Sequence, residues 1–250
     1  MRLNPLLKML PLNDVRSGRP YRVFLVDDHP MVREHLAHML EQQPDMQVCG
    51  EAVDLALALE GIGQIHSDIA IIDISLRASS GLDLIKEIKA RGWTVPILVL
   101  SMHEESLYAE RALRAGALGY INKQESSKNI VVAIRRVLSG QIYVSAELSG
   151  SLVKRVINGA ANQESSPIAR LGDRELEVFQ LIGRGIGTRA IAETLGLGIK
   201  TVETYRARIK EKLAITDAVQ LLRYAMQWLE DYDAKIGDQP SGVTGIDSSC

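Results

Sequence analysis

Cysteine is nearly missing from this chain. Its two thiols, Cys49 and Cys250, lie far apart in sequence. That excludes a disulfide framework or a cysteine-built metal site and points to a reducing, cytoplasmic compartment. Long apolar runs are missing as well, so no stretch reaches the length of a membrane span. The apolar patch Leu6 to Leu12 within the first 20 residues is broken by Lys8 and Pro11. It is too interrupted for a secretory signal, and residues 1–20 read as a loosely ordered extension with room for a short helix. Neither sign of charge dominates: the formal net is −2 over 250 residues, so any affinity for nucleic acid must come from local clustering. No Walker-type Gly-rich lysine loop is present.

What is present is an alternation of short apolar runs with amphipathic stretches. Asp68-Ile-Ala-Ile-Ile-Asp73 is a strand-length apolar run that ends on a carboxylate, the pattern of a central parallel strand buried on both faces. Strands are also predicted over Tyr21–Val26, Met46–Ala52, Pro96–Ser101 and Gly119–Asn122. Helices are predicted between them. The first opens at Pro30, with Met31, Leu36, Met39 and Leu40 inward. Asp54 caps the second, which runs through Leu55, Leu59 and Ile62. Leu82–Ala90, Glu104–Ala115 and Ser126–Ser139 follow. Five βα repeats imply an α/β domain with one five-stranded parallel sheet covered on both faces, in the order of the doubly wound, flavodoxin-like fold. Ala146 to Asn158 reads as one more helix. The small, polar segment Gly159–Pro167 reads as an interdomain linker.

Four strong helical patterns come next, at Asp173–Gly183, Thr188–Leu195, Ile199–Leu213 and Asp217–Leu229. Gly196 and Gly198 leave between the middle pair the short turn of a helix-turn-helix. From Asp231 to Cys250 the chain has little to bury and reads as a disordered tail. The expected domains are therefore an extension (1–20), the α/β domain (21–145), a linker helix and flexible linker (146–170), an all-α four-helix domain (171–230) and the tail (231–250).

In an open parallel sheet, ligands gather at the carboxyl ends of the strands. Here those ends carry Asp27 and Asp28, Asp73, Ser101, and Asn122-Lys123. Three carboxylates repel, and a hard divalent cation such as Mg²⁺ relieves the repulsion. Asp73 can then attack phosphorus, with Lys123 and Ser101 neutralising the transferring oxygens. On these residues the stretch 21–139 resembles a response-regulator receiver domain. The resemblance implies an acidic pair at Asp27 and Asp28, with Asp28 on Mg²⁺. It implies a phosphoacceptor at Asp73, the Ser75 backbone carbonyl as a further ligand, and Ser101 and Lys123 in the family's Ser/Thr and lysine roles. It makes Tyr120 the switch aromatic and a sensor histidine kinase the phosphodonor. Ser101 is expected to move toward the phosphoryl group and Tyr120 to fill the space it leaves. Two departures, Leu76-Arg77 where many receivers have Met-Pro and Gln124 where many have proline, bear on loop geometry and phosphate lifetime. His29, beside the acidic pair, is placed to line the crevice, but it reads better as a loop histidine.

In the third C-terminal helix, Val202, Tyr205, Ile209 and Leu213 share one face at 3.6-residue spacing. Lys200, Glu203, Thr204, Ala207 and Glu211 lie opposite. Five bases (Lys200, Arg206, Arg208, Lys210, Lys212) against two acids (Glu203, Glu211) leave a local excess of three positive charges. Such a helix, about 21 Å long, fits a DNA major groove. Residues 171–230 resemble the LuxR-type helix-turn-helix of NarL/FixJ-type regulators through Leu171–Val178, Thr188–Ala192 and Lys200–Leu213. The match implies base contacts from Glu203, Thr204 and Ala207. Phosphate contacts are then expected from Lys200, Arg206, Arg208, Lys210, Thr188 and Arg189. It also implies a homodimer through the last helix, with Val219, Leu222, Met226 and Leu229 as candidates.

The expected function is a phosphorylation-controlled transcription regulator that binds double-stranded DNA, has no membrane partner, and has RNA polymerase as a further candidate partner. Turnover is limited to slow self-dephosphorylation. A degenerate receiver that is not phosphorylated, a protein that acts through protein contacts alone, and an aspartyl-phosphate phosphatase or phosphotransferase are the alternatives. Ser75, where a haloacid-dehalogenase-type enzyme places a second Asp, weighs against the last.

Overall fold

The computed structural model describes residues 18–76, 79–102, 105–125, 127–157 and 167–237. Expectations for the extension through residue 17, and for Arg77, Glu104, Ser126, Asn158, the linker 159–166 and the tail from 238, lie outside the described residues. The chain forms two compact units, residues 1–162 and 163–250.

In the first unit the elements are β1 (Tyr21–Val26), α1 (Pro30–Glu41), β2 (Met46–Ala52), α2 (Leu55–Gln64) and β3 (Ile69–Ile72). A two-rung antiparallel pair follows, β4 (Ser75–Leu76) and β5 (Ser79–Ser80). Then come α3 (Gly81–Ala90), β6 (Ile97–Ser101), α4 (Glu105–Ala115), β7 (Gly119–Asn122), α5 (Ser127–Leu138) and α6 (Ala146–Ile157). β2, β1, β3, β6 and β7 form one parallel sheet in that order, the flavodoxin-like arrangement. Its order reverses between β1 and β3, which places the crevice at the ends of these two strands.

Alternate strand residues serve two cores. Val23, Leu25, Ile69, Ile71, Leu98 and Leu100 pack with Leu36, Met39 and Leu40 of α1 and Ile130, Ile134 and Val137 of α5. On the other face Phe24 lies against α2. A Cβ added at Gly61 would come within 2.4 Å of its ring, and one at Gly50 within 2.5 Å. Asp54 Oδ1 accepts the Leu57 N–H at 2.9 Å, the expected cap on α2.

Two expectations for this unit need correction. Met31 is 82% exposed. Val32, four residues before Leu36, takes the inward position instead and packs on the core, because side chains one residue apart diverge around a helix. The β4–β5 pair carries no sequence signal, since two-residue strands have no periodicity.

In the second unit a 3₁₀ turn (Pro167–Arg170) leads to α7 (Asp173–Gly183), α8 (Thr188–Leu195), α9 (Ile199–Lys212) and α10 (Ala218–Gly237). Phe179 of α7 meets the rings of Tyr224 and Trp228 of α10 at centroid distances of 6.1 and 5.6 Å. α7 and α10 approach closely because Gly183 has no side chain; a Cβ there would lie 2.7 Å from the Ala225 carbonyl. Gly196 has φ +63° and ends α8 in the left-handed conformation that glycine adopts freely. α10 continues through Gly237, past the predicted end at Leu229, so residues 231–237 are helical. Their polar composition had pointed to a tail, but a helix seeded upstream extends at little cost per residue.

Candidate functional site

The sheet brings the strand-end residues together. Asp27 follows β1 and Asp73 follows β3, and each is 3% exposed. The Asp73 N–H donates to the Val26 carbonyl at 2.8 Å, which ties the two strand ends together. Lys123 follows β7 and reaches across. Its Nζ lies 2.5 Å from Asp27 Oδ2 and 2.7 Å from Asp73 Oδ2. Ser101 is fully buried at the end of β6 and pairs in register with Asn122. The Lys123 N–H donates to its carbonyl at 2.9 Å. Ser75 stands at the start of β4, two residues from Asp73.

Electrostatics follow from this packing. Burial pushes the Asp73 carboxyl up to about 6; Lys123 pulls it down and Asp27 pushes it further up. Burial works against the Lys123 ammonium, but the carboxylates of Asp73 and Asp27 hold it above its ordinary value. Two buried carboxylate oxygens, Asp28 Oδ1 and Asp73 Oδ1, have no hydrogen-bond partner. Unpaired buried acceptors cost free energy. A divalent cation would satisfy both, and one ligand atom each from Asp27, Asp28, His29 and Asp73 lie within 4.8 Å of one another. The residues present therefore fit a cation, with Asp27 and Asp28 beside the Asp73 carboxylate.

Two residues that shape this site escaped sequence reasoning. Gly81 opens α3 directly on the Asp73 loop: a Cβ there would sit 1.9 Å from the Asp73 carbonyl oxygen, while its N–H donates to the Ile74 carbonyl at 2.7 Å. Only glycine allows that approach. His29, read as a loop histidine, is 2.8 Å from Asp28 Oδ1 through Nδ1. Its place next to the acidic pair was the one available signal. Tyr120 is 1% exposed.

In the second unit α9 follows the α8 turn. Val202 and Ile209 are fully buried, and Tyr205 and Leu213 are half-buried. Lys200, Glu203, Thr204, Ala207 and Arg208 are exposed, and Arg206 and Lys210 are half-buried. Lys200, Thr204, Tyr205 and Arg208 line one shallow groove. At the start of α8, Arg189 is exposed and Thr188 half-buried. Lys212 is one of the five bases of this helix. It binds the buried Glu175 of α7, Nζ to Oε2 at 2.6 Å, and that same oxygen accepts the Gly172 N–H at 2.7 Å. On α10, Val219 and Met226 are 60% and 43% exposed, and Leu222 is half-buried. Leu229 turns toward α7, its Cδ1 2.6 Å from where a Gly183 Cβ would be, so this leucine seals the domain core.

Residues 23–135 match the response regulator receiver domain family, and residues 169–225 match the bacterial regulatory proteins of the luxR family. The oxygen regulatory protein NreC of Staphylococcus epidermidis is 33% identical over 211 residues, covering 82% of this chain and 97% of that protein. A LuxR-family two-component response regulator from Aurantimonas shares 30% identity with a TM-score of 0.51, over 55% of this chain and 99% of its own. RcsB of Salmonella enterica serovar Typhimurium, bound to promoter rprA with the phosphomimetic BeF₃⁻, shares 25% identity with a TM-score of 0.54, over 83% and 99%. No helix among the described residues is long and apolar enough to cross a membrane. With both domains matched and a relative aligned over most of its length, the chain belongs to the two-component response regulators of the NarL/FixJ, LuxR-type family.

Proposed function

We propose that this protein is a cytoplasmic transcription regulator switched by phosphorylation of Asp73. The observation that carries the proposal is the convergence of Asp27 and Asp73 on Lys123, with Asp28 in the same acidic cluster and two buried carboxylate oxygens lacking a hydrogen-bond partner. Asp27 and Asp28, with the Ser75 carbonyl, would hold Mg²⁺, which supplies positive charge for the transferring phosphoryl oxygens. A carboxylate oxygen of Asp73 attacks the phosphorus of a phosphohistidine on a sensor kinase. The P–N bond breaks, the imidazole leaves, and an acyl phosphate remains on Asp73. Lys123, already on the Asp73 carboxylate, and Ser101 neutralise the phosphoryl oxygens. Slow hydrolysis of the acyl phosphate is the only turnover.

The output is DNA binding through α9, as the DNA-bound RcsB structure supports. Glu203, Thr204 and Ala207 face base edges, while Lys200, Arg206, Arg208, Lys210, Thr188 and Arg189 hold phosphates. Val219, Leu222 and Met226 supply a dimer contact. The acyl phosphate, with about −1.5 to −2 of charge, controls dimerisation or release of the DNA-binding domain, which then recruits or blocks RNA polymerase. The test is incubation with Mg²⁺ and acetyl phosphate. Intact-mass analysis should show one phosphoryl group in the wild type and none in Asp73→Asn; incorporation at another residue would reject the assignment.

A further inference from the structure

His29 has no part in the phosphoryl chemistry above, yet its ring nitrogen stands inside the acidic cluster. Nδ1 lies 2.8 Å from Asp28 Oδ1 and 3.3 Å from Asp27 Oδ1. The shorter approach is not a hydrogen bond, because Asp28 Oδ1 accepts none. This is how two ligands of one ion stand. Metal bonds of about 2.1 Å leave neighbouring ligand atoms about 3 Å apart at right angles and about 3.4 Å apart in a tetrahedron. Asp73 contributes a carboxylate oxygen to the same cluster, and its buried Oδ1 has no hydrogen-bond partner. The backbone helps to fix the arrangement: the His29 N–H donates to Asp27 Oδ1 at 2.9 Å, and Pro30 opens α1 immediately afterwards.

We propose that His29 is a nitrogen ligand of the cation site and makes it selective for a first-row transition dication such as Zn²⁺ over Mg²⁺. Carboxylate and carbonyl oxygens suit Mg²⁺, which gains little from imidazole, whereas imidazole suits Zn²⁺. One nitrogen among the carboxylates therefore raises affinity for the second class of ion. The ring is 64% exposed, so an ion can be captured from solvent with little rearrangement. This inference rests on the proposal that the acidic cluster is the cation site.

The test is calorimetric titration of the full chain with MgCl₂ and with ZnCl₂, counting only the Zn²⁺ that saturating Mg²⁺ displaces. Wild type, His29→Ala and Asp28→Asn are compared. The ratio of Zn²⁺ to Mg²⁺ affinity is expected to fall about tenfold or more in His29→Ala. Asp28→Asn is expected to weaken both ions. A ratio unchanged within about twofold in His29→Ala, with Asp28→Asn still weakening both ions, would overturn the ligand assignment and leave the cation site standing. If the two ions do not compete, or Asp28→Asn alters neither, the cation site itself is refuted and the inference falls with it. Native thermal unfolding of His29→Ala separates loss of a ligand from loss of fold.

Discussion

At the sheet edge, Asp73 is a buried acid whose proton is held up to about 6 against an ordinary 3.8. The folded chain therefore binds a proton more tightly than the unfolded chain between these values. In chelator, stability should fall as pH rises from about 4 to about 6, by up to about 3 kcal/mol. Asp45, held below the usual range by its hydrogen bonds from Arg135, acts in the opposite sense. The measurement is accordingly a difference: urea unfolding across this range for wild type against Asp73→Asn, which lacks the Asp73 contribution. Gly81 sits 1.9 Å, as a virtual Cβ, from the Asp73 carbonyl. Gly81→Ala must shift that loop, and we expect a loss of about 1–3 kcal/mol in stability together with slower phosphorylation from acetyl phosphate. Unchanged kinetics would show that the loop absorbs the methyl group. The reactive side chains were legible because each is a polar residue at the end of an apolar run. Gly81 was not, since a glycine needed for close approach looks in sequence like any glycine before a helix. His29 was set aside because a single imidazole carries no spacing pattern.

Among the elements, α9 has the most to say about DNA. Arg208 is exposed and lines the groove with Lys200. Arg208→Ala should weaken binding to every DNA sequence and lower the slope of log affinity against log salt by about one. Lys212 is committed to Glu175. Lys212→Ala should leave the salt slope alone and cost about 1–2 kcal/mol of stability by stripping a buried carboxylate of a partner. Anisotropy titrations at several salt concentrations, beside urea melts, separate the two outcomes. The end of α9 offers a further test. Ala214 has φ +54°, and the Ile215 N–H donates to the Lys210 carbonyl at 2.8 Å, the Schellman pattern in which glycine is usual. Ala214→Gly should raise stability by about 1 kcal/mol. Helices such as α7 and α8 were legible to the residue because apolar spacing and flanking glycines agree. The end of α10 was not, because its last turns continue on polar residues that composition assigns to a tail. The commitment of Lys212 was hidden for a different reason: an ion pair between residues 37 apart in sequence leaves no local mark.

In the whole molecule, an acid-lined crevice in one unit is proposed to control a basic helix in the other, with acyl phosphate on Asp73 as the link. Neither end is decisive alone: a cation site can exist without phosphorylation, and a basic helix can bind DNA constitutively. The direct measurement is affinity for a promoter fragment by fluorescence anisotropy, with Mg²⁺, before and after beryllofluoride, for wild type and Asp73→Asn. Wild-type affinity should change by about tenfold or more and Asp73→Asn by nothing measurable. Equal responses in the two proteins, or none in either, would contradict control of DNA binding by phosphorylation of Asp73.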